Sequence, residues 1–193
     1  MLKNMLIRRS FMRDEILRIV AQNIQIYGIK KMNLDLICKE LKISKKTIYK
    51  YFENKDDMIR CYIKEVLDID RESTIKILKN SMDVSDKCHQ IVYTYHKYKL
   101  PFIIMDEIRL DYEDEWNEIK ELKKFKIEAI CKVLDEAKKS GEVKKDMDLS
   151  IVALMIDQVS EKLMDKEVLK SNNLKVNDVL DQVIKIILKG IMN

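Results

Sequence analysis

Apolar residues recur along this chain at spacings of three and four, the pattern of helices that bury one face. Ile16, Leu17, Val20, Ile24 and Tyr27 form the first stripe and predict a helix from about Ser10 to Tyr27. Gly28 follows, where a left-handed residue ends a helix. Asn33 is placed to cap a short second helix carrying Leu34, Ile37 and Leu41. Lys42 and Ile43 then predict a tight turn, and Ser44 caps a third helix containing Ile48, Tyr49 and Phe52. Asn54 caps a fourth helix, with Asp56 and Asp57 in its first turn to suit the helix dipole. That helix runs through Met58, Ile59, Tyr62, Val66 and Ile69 to about Leu78.

Further on, a fifth helix is expected near Asp83 to Lys99, stopping before Pro101. A short sixth covers about Phe102–Leu110. The acidic stretch Asp111 to Glu118 leads into a long seventh helix that ends at Lys139, before Ser140-Gly141. An eighth spans about Leu149–Met164 and a ninth about Asn177–Met192. The expected fold is therefore all-α, with about nine helices. A three-helix unit, residues 1–54, precedes a larger helical body, residues 55–193.

Composition agrees with this class. The chain has 193 residues, 47% of them hydrophobic, yet only 3 Gly and 1 Pro, too few for a fold rich in hairpins. The net charge of +4 is unevenly placed: residues 1–60 hold 14 Lys and Arg against 7 Asp and Glu, while residues 61–193 hold 23 against 26. A basic first third on a mildly acidic body suits a head that meets a polyanion. Cys38, Cys61, Cys88 and Cys131 show no metal-ligand spacing and are expected as reduced, buried thiols. The N-terminal residues lack the continuous apolar run of a signal peptide, and no stretch reaches the roughly 20 apolar residues that span a bilayer. A cytoplasmic protein is expected.

Two short helices joined by a tight turn and braced by a preceding helix form a DNA-reading unit for geometric reasons. The first two helices hold the third so that its N-terminal side chains project into a major groove. Ser44, Lys45, Lys46, Thr47 and Lys50 can face outward here, while Ile43, Ile48 and Tyr51 or Phe52 pack inward. The run Ile43-Ser44-Lys45-Lys46-Thr47-Ile48-Tyr49-Lys50-Tyr51-Phe52, continuing Glu53-Asn54-Lys55-Asp56, resembles the signature of the TetR family of bacterial transcriptional regulators. Upstream, Arg13, Ile16-Leu17, Ala21, Gly28, Asn33 and Ile37 sit at the family's offsets. The resemblance covers about residues 13–60. Lys42 stands where the family commonly has Gly in the turn, Lys46 where a small residue is frequent, Ile24 where Phe is usual and Cys38 where Ala is usual.

The resemblance implies roles for individual residues. Asn33 and Tyr51 would touch backbone phosphates, and Ser44, Lys45, Lys46 and Thr47 would sit at or in the groove. Tyr49 would lie across the backbone, Lys50 would meet a phosphate or base, and Lys55 would clamp a phosphate with the amides that open the fourth helix. Core packing of the head is the competing role for Tyr49 and Tyr51, and the expected one for Phe52. The resemblance further implies an effector-responsive repressor that binds a palindromic double-stranded DNA operator as a homodimer. Effector binding would shift a population between operator-competent and released states.

The last two predicted helices are apolar over more than one stripe, which a small body does not bury alone. A two-fold interface is expected through Val152, Met155 and Val159 with Leu180, Val183, Ile184 and Ile187. Tyr93, His96, Phe102, Met105, Ile108, Trp116 and Phe125 are candidates to line a pocket for an unknown small-molecule effector, against ordinary core packing. His89 and His96 lie seven apart on the fifth helix beside Cys88, without a second ligand pair, so no metal and no cofactor is expected. The acidic run Asp106, Glu107, Asp111, Glu113, Asp114, Glu115 and Glu118 is expected as a solvated face. No phosphate loop or nucleophile–base arrangement points to an enzyme. The competing reading is a helical adaptor that lays its basic helices on an anionic membrane surface without spanning it.

Overall fold

The computed structural model describes residues 2–93, 100–101, 104–163 and 166–193. Among these the chain forms helices α1 (Leu2–Tyr27), α2 (Leu34–Leu41), α3 (Lys45–Ile48), α4 (Lys55–Leu78) and α5 (Val84–Val92). They are followed by α6 (Met105–Asp111), α7 (Glu113–Ser140), α8 (Leu149–Leu163), α9 (Lys166–Ser171) and α10 (Val176–Ile191). The expected all-α class holds, with ten described helices in place of about nine. The addition is α9, whose six residues hold only Val168 and Leu169 as apolar positions, too few to register as a stripe. The acidic stretch after Asp111 belongs to α7 from its first turn, where three carboxylates, Glu113, Asp114 and Glu115, meet the positive end of the helix dipole.

The chain divides into two compact units, residues 1–69 with 96–118 and residues 70–95 with 119–193. In the first, α1 buries Ile16, Leu17, Val20 and Ile24 completely. Gly28 ends that helix at φ +80, its N–H donating to the Ile24 carbonyl at 2.8 Å. Asn33 caps α2, its side chain accepting the Asp35 N–H at 2.8 Å. At the other end Lys42 takes the left-handed conformation, φ 54 and ψ 40, and the Ile43 N–H closes onto the Cys38 carbonyl at 3.0 Å. A lysine pays the Cβ penalty there that glycine would not. Lys42→Gly is therefore expected to stabilise the head by about 0.5–1 kcal/mol, net of glycine's greater unfolded-state entropy. Denaturant midpoints measure this, and an unchanged or lower midpoint would contradict it.

The core of the second unit gathers Ile77, Cys88, Ile91, Ile130, Val133 and Leu134 with inward residues of α8 and α10. Cys88 lies within it, and burial pushes its thiol up to about 12, so it stays protonated. The other three cysteines are only partly buried, less enclosed than the pattern predicts. Between α4 and α7, the Lys126 ammonium donates to both oxygens of Asp70 at 3.0 Å, with little of either side chain exposed. Beside them the Arg71 guanidinium lies over the Phe125 ring, 4.9 Å from its centre. The C-terminus is tied to the α7–α8 connection. Lys144 N–H donates to Ile191 at 2.9 Å and Asn193 N–H to Glu142 at 3.0 Å.

Candidate nucleic-acid interface

Helix α3 is short because local hydrogen bonds start and stop it within one turn. Ser44, in extended conformation, accepts the Thr47 N–H at its side chain (3.2 Å), and the two hydroxyls lie 3.1 Å apart. After Ile48 the chain leaves the α-helix: Lys50 N–H turns to Thr47 and Tyr51 N–H to Ile48, bonds of three-residue span that tighten the end. The third helix is thus shorter than the sequence pattern suggests, with Tyr49 and Tyr51 in the turn beyond it. The tightening brings Phe52 inside, 2% exposed, beneath the Arg13 guanidinium at 5.3 Å. Ile37 and Ile48 are fully buried behind the element.

The outer side of the same element is polar and basic. Lys45, Lys46, Lys50 and Ser44 are exposed, Thr47 and Tyr51 are half-buried, and Tyr49 is 47% exposed. Of the two tyrosines with competing core roles, Tyr49 therefore shows the greater open face. Lys45 pairs with Asp35 of α2 at 2.8 Å, and that hydrogen bond holds its ammonium above the ordinary lysine range. Asn33 is exposed at the start of α2, its backbone N–H bonded to the Asn23 side chain at 3.0 Å.

Lys55 opens α4 behind a reciprocal cap. Asn54 accepts the Asp57 N–H at 2.8 Å, and Asp57 accepts the Glu53 N–H at 2.9 Å. The Lys55 ammonium reaches across to the Lys30 carbonyl at 3.4 Å. The structure thereby brings the α1–α2 turn, with exposed Lys30 and Lys31, beside the N-terminus of α4. Sequence reasoning missed these two lysines. The signal available was their position directly after the helix-ending glycine, on a stretch already known to be basic.

Residues 22–60 match the family model described as bacterial regulatory proteins, tetR family. That segment is the DNA-binding region of the TetR family. The chain is 21% identical over 185 residues to the fatty acid metabolism regulator protein of Bacillus subtilis (strain 168), covering 93% of each chain. Its fold is shared with a TetR-family regulator from Cytophaga hutchinsonii, at a TM-score of 0.71 and 12% identity over 96% of both chains. It is also shared with FadR from Bacillus subtilis solved in complex with stearoyl-CoA, at a TM-score of 0.60 and 20% identity, covering 91% of this chain and 97% of that one.

The remaining candidate residues fall in several places. Val152, Ile184 and Ile187 are 5%, 3% and 6% exposed and pack in this chain's own core. Val159, Leu180 and Val183 are half-buried, and Met155 is 47% exposed. A second, outward stripe on the same helices shows Ile151, Leu154 and Met155 on α8 and Ile186 on α10. Of the effector candidates, Ile108 is fully buried in the first unit, with Met105 and Trp116 half-buried there. Tyr93 and Phe125 are half-buried in the second. His96 and Phe102 lie outside the described residues. His89 faces Asp181 of α10 at 3.4 Å. Among the described residues, no group of His, Cys, Asp and Glu side chains is arranged to hold a metal, and no helix is long and apolar enough to cross a membrane.

The acidic run departs from the expected solvated face. Glu107, Asp111 and Glu115 each meet the head: Glu107 at the α1–α2 turn, Asp111 at Lys30 (3.6 Å) and Glu115 at Arg60 (2.6 and 2.5 Å). Sequence spacing carries no trace of these pairings, because the partners lie 55 or more positions away.

Proposed function

We propose that this regulator acts as a cytoplasmic repressor, docking as a homodimer on a palindromic operator and leaving it when an acyl thioester binds. In this reading residues 1–54, joined by Lys55 at the start of α4, supply the DNA contacts, and the rest of residues 55–193 dimerises and receives the effector. The observation that carries it is the Ser44-capped turn of helix, with Lys45, Lys46, Tyr49 and Lys50 outward and Ile48 and Phe52 locked behind. One helical turn spans only a few base pairs, so a specific site needs two heads related by a two-fold axis. The exposed apolar stripe on α8 and α10 supplies a surface for that pairing. The acyl-thioester class rests on the relatives, one titled a fatty acid metabolism regulator and another holding stearoyl-CoA.

Selection of bound duplexes from a random pool tests the reading. Recovered sites should be palindromes, and a long-chain acyl-CoA should release the protein from them. With such a duplex in hand, Lys55→Ala should weaken binding and lower the salt slope by about one unit, the value of one phosphate contact. Binding to every duplex and to anionic vesicles alike, without sequence preference, would reject operator recognition.

A further inference from the structure

The α1–α2 turn has an unusual anchor. With Gly28 at φ +80, the next two backbone N–H groups converge on one point, as in the backbone concavities that bind anions. That point is occupied by the Glu107 carboxylate of α6. A single oxygen accepts the Ile29 N–H at 2.7 Å and the Lys30 N–H at 3.3 Å, although the turn and α6 lie 78 and 77 residues apart in sequence. The fit is close: a Cβ at Gly28 would lie 3.3 Å from the other Glu107 oxygen.

One helical turn further along α6, and on the same face, Asp111 meets the Lys30 ammonium at 3.6 Å. At the opening of α7, Tyr112 donates its hydroxyl to Asp56 at 2.9 Å, and its ring lies 5.3 Å from the Arg60 guanidinium. Glu115 receives that same guanidinium. Four consecutive anchors thus hold the two stretches of the head that carry Lys30, Lys31, Asn33 and Lys55.

We propose that Glu107 is a positioning residue for operator binding: its carboxylate fixes the α1–α2 turn so that Lys30 and Asn33 meet the DNA backbone in register with the reading helix. Glu107 touches no DNA itself. The inference rests on the DNA-binding reading above and extends it to a residue outside the helix-turn-helix.

The test compares Glu107→Ala and Glu107→Gln on the full chain, using a duplex recovered with the wild-type protein. Glu107→Ala should bind about tenfold more weakly, the scale for losing hydrogen bonds to a charged acceptor. Its salt slope should fall by about one unit, because a displaced turn surrenders a phosphate contact. Glu107→Gln keeps an oxygen acceptor and should stay within about threefold of wild type. A purely structural role would lower the folded fraction, and so the affinity, at an unchanged slope; that result overturns the proposal, as does wild-type affinity in Glu107→Ala. If the wild-type protein selects no duplex at all, the operator reading has failed instead.

Discussion

Replacing Lys126 by methionine is expected to destabilise the protein by about 3 kcal/mol, among the largest effects of any single substitution outside the apolar core. The Lys126 and Asp70 side chains are only 17% and 14% exposed, and desolvation by burial lowers the Lys126 pKa despite the opposing pull of Asp70. Burial at this depth costs each ion much of its hydration, and mutual attraction offsets that loss only while both partners remain. Methionine keeps most of the stem volume but removes the ammonium that balances the Asp70 charge. For a chain of this length the loss corresponds to a melting point lower by about 10 °C. The double variant Lys126→Met with Asp70→Leu removes both charges and should recover most of the stability. Chemical denaturation of the three proteins decides the matter. A Lys126→Met variant within about 1 kcal/mol of wild type would show that the Asp70 carboxylate is held well enough without the ammonium.

The second large effect concerns pairing of two copies. Helices α8 and α10 bury one apolar face through Val152, Ile156, Ile184 and Ile187, while Ile151, Leu154 and Met155 of α8 and Ile186 of α10 stand exposed. Leu154 and Ile186 are 60% and 65% exposed, too open to support the fold of one chain and too apolar to stand comfortably in water. Leu154→Asp combined with Ile186→Asp should leave the helices intact and yield a monomer in sedimentation experiments. Operator affinity should then drop by about a hundredfold or more, since linked half-sites gain that much from effective concentration. Ile184→Asp should behave differently: it places a charge in the interior and should lower stability before any question of assembly arises. A double variant that remains dimeric would move the interface to another face.

These buried and exposed positions show why part of this molecule was readable in advance and part was not. Periodicity reports that a helix is apolar on more than one side. It does not report which side its own chain covers, since that depends on where α5 and α7 lie. The head was more legible because its determinants are local. Ser44 and Asn54 bond to N–H groups three residues on, Asn33 to one two residues on, and Gly28 ends its helix by its own conformation. Even the departure at Lys42 resolves locally, with the lysine adopting the geometry usually left to glycine. The acidic run shows the opposite case. A carboxylate on a helix looks the same in sequence whether water surrounds it or a distant backbone N–H donates to it. Only the fold distinguishes Glu107 and Glu115 from Glu113 and Asp114, which stand exposed.

Helix α3, the proposed reading element, is four residues long, a length at which an isolated helix does not persist in water. Its shape is therefore borrowed from Ile37, Ile48 and Phe52 beneath it, and specificity and head stability share one set of atoms. A genetic screen for derepressed strains would then recover lesions at these hidden positions as readily as at the exposed lysines proposed to face the operator. Such alleles would be temperature-sensitive, because warming loosens the support before it unfolds the rest. Cooling would restore control of the target gene without any change in the surface that touches DNA.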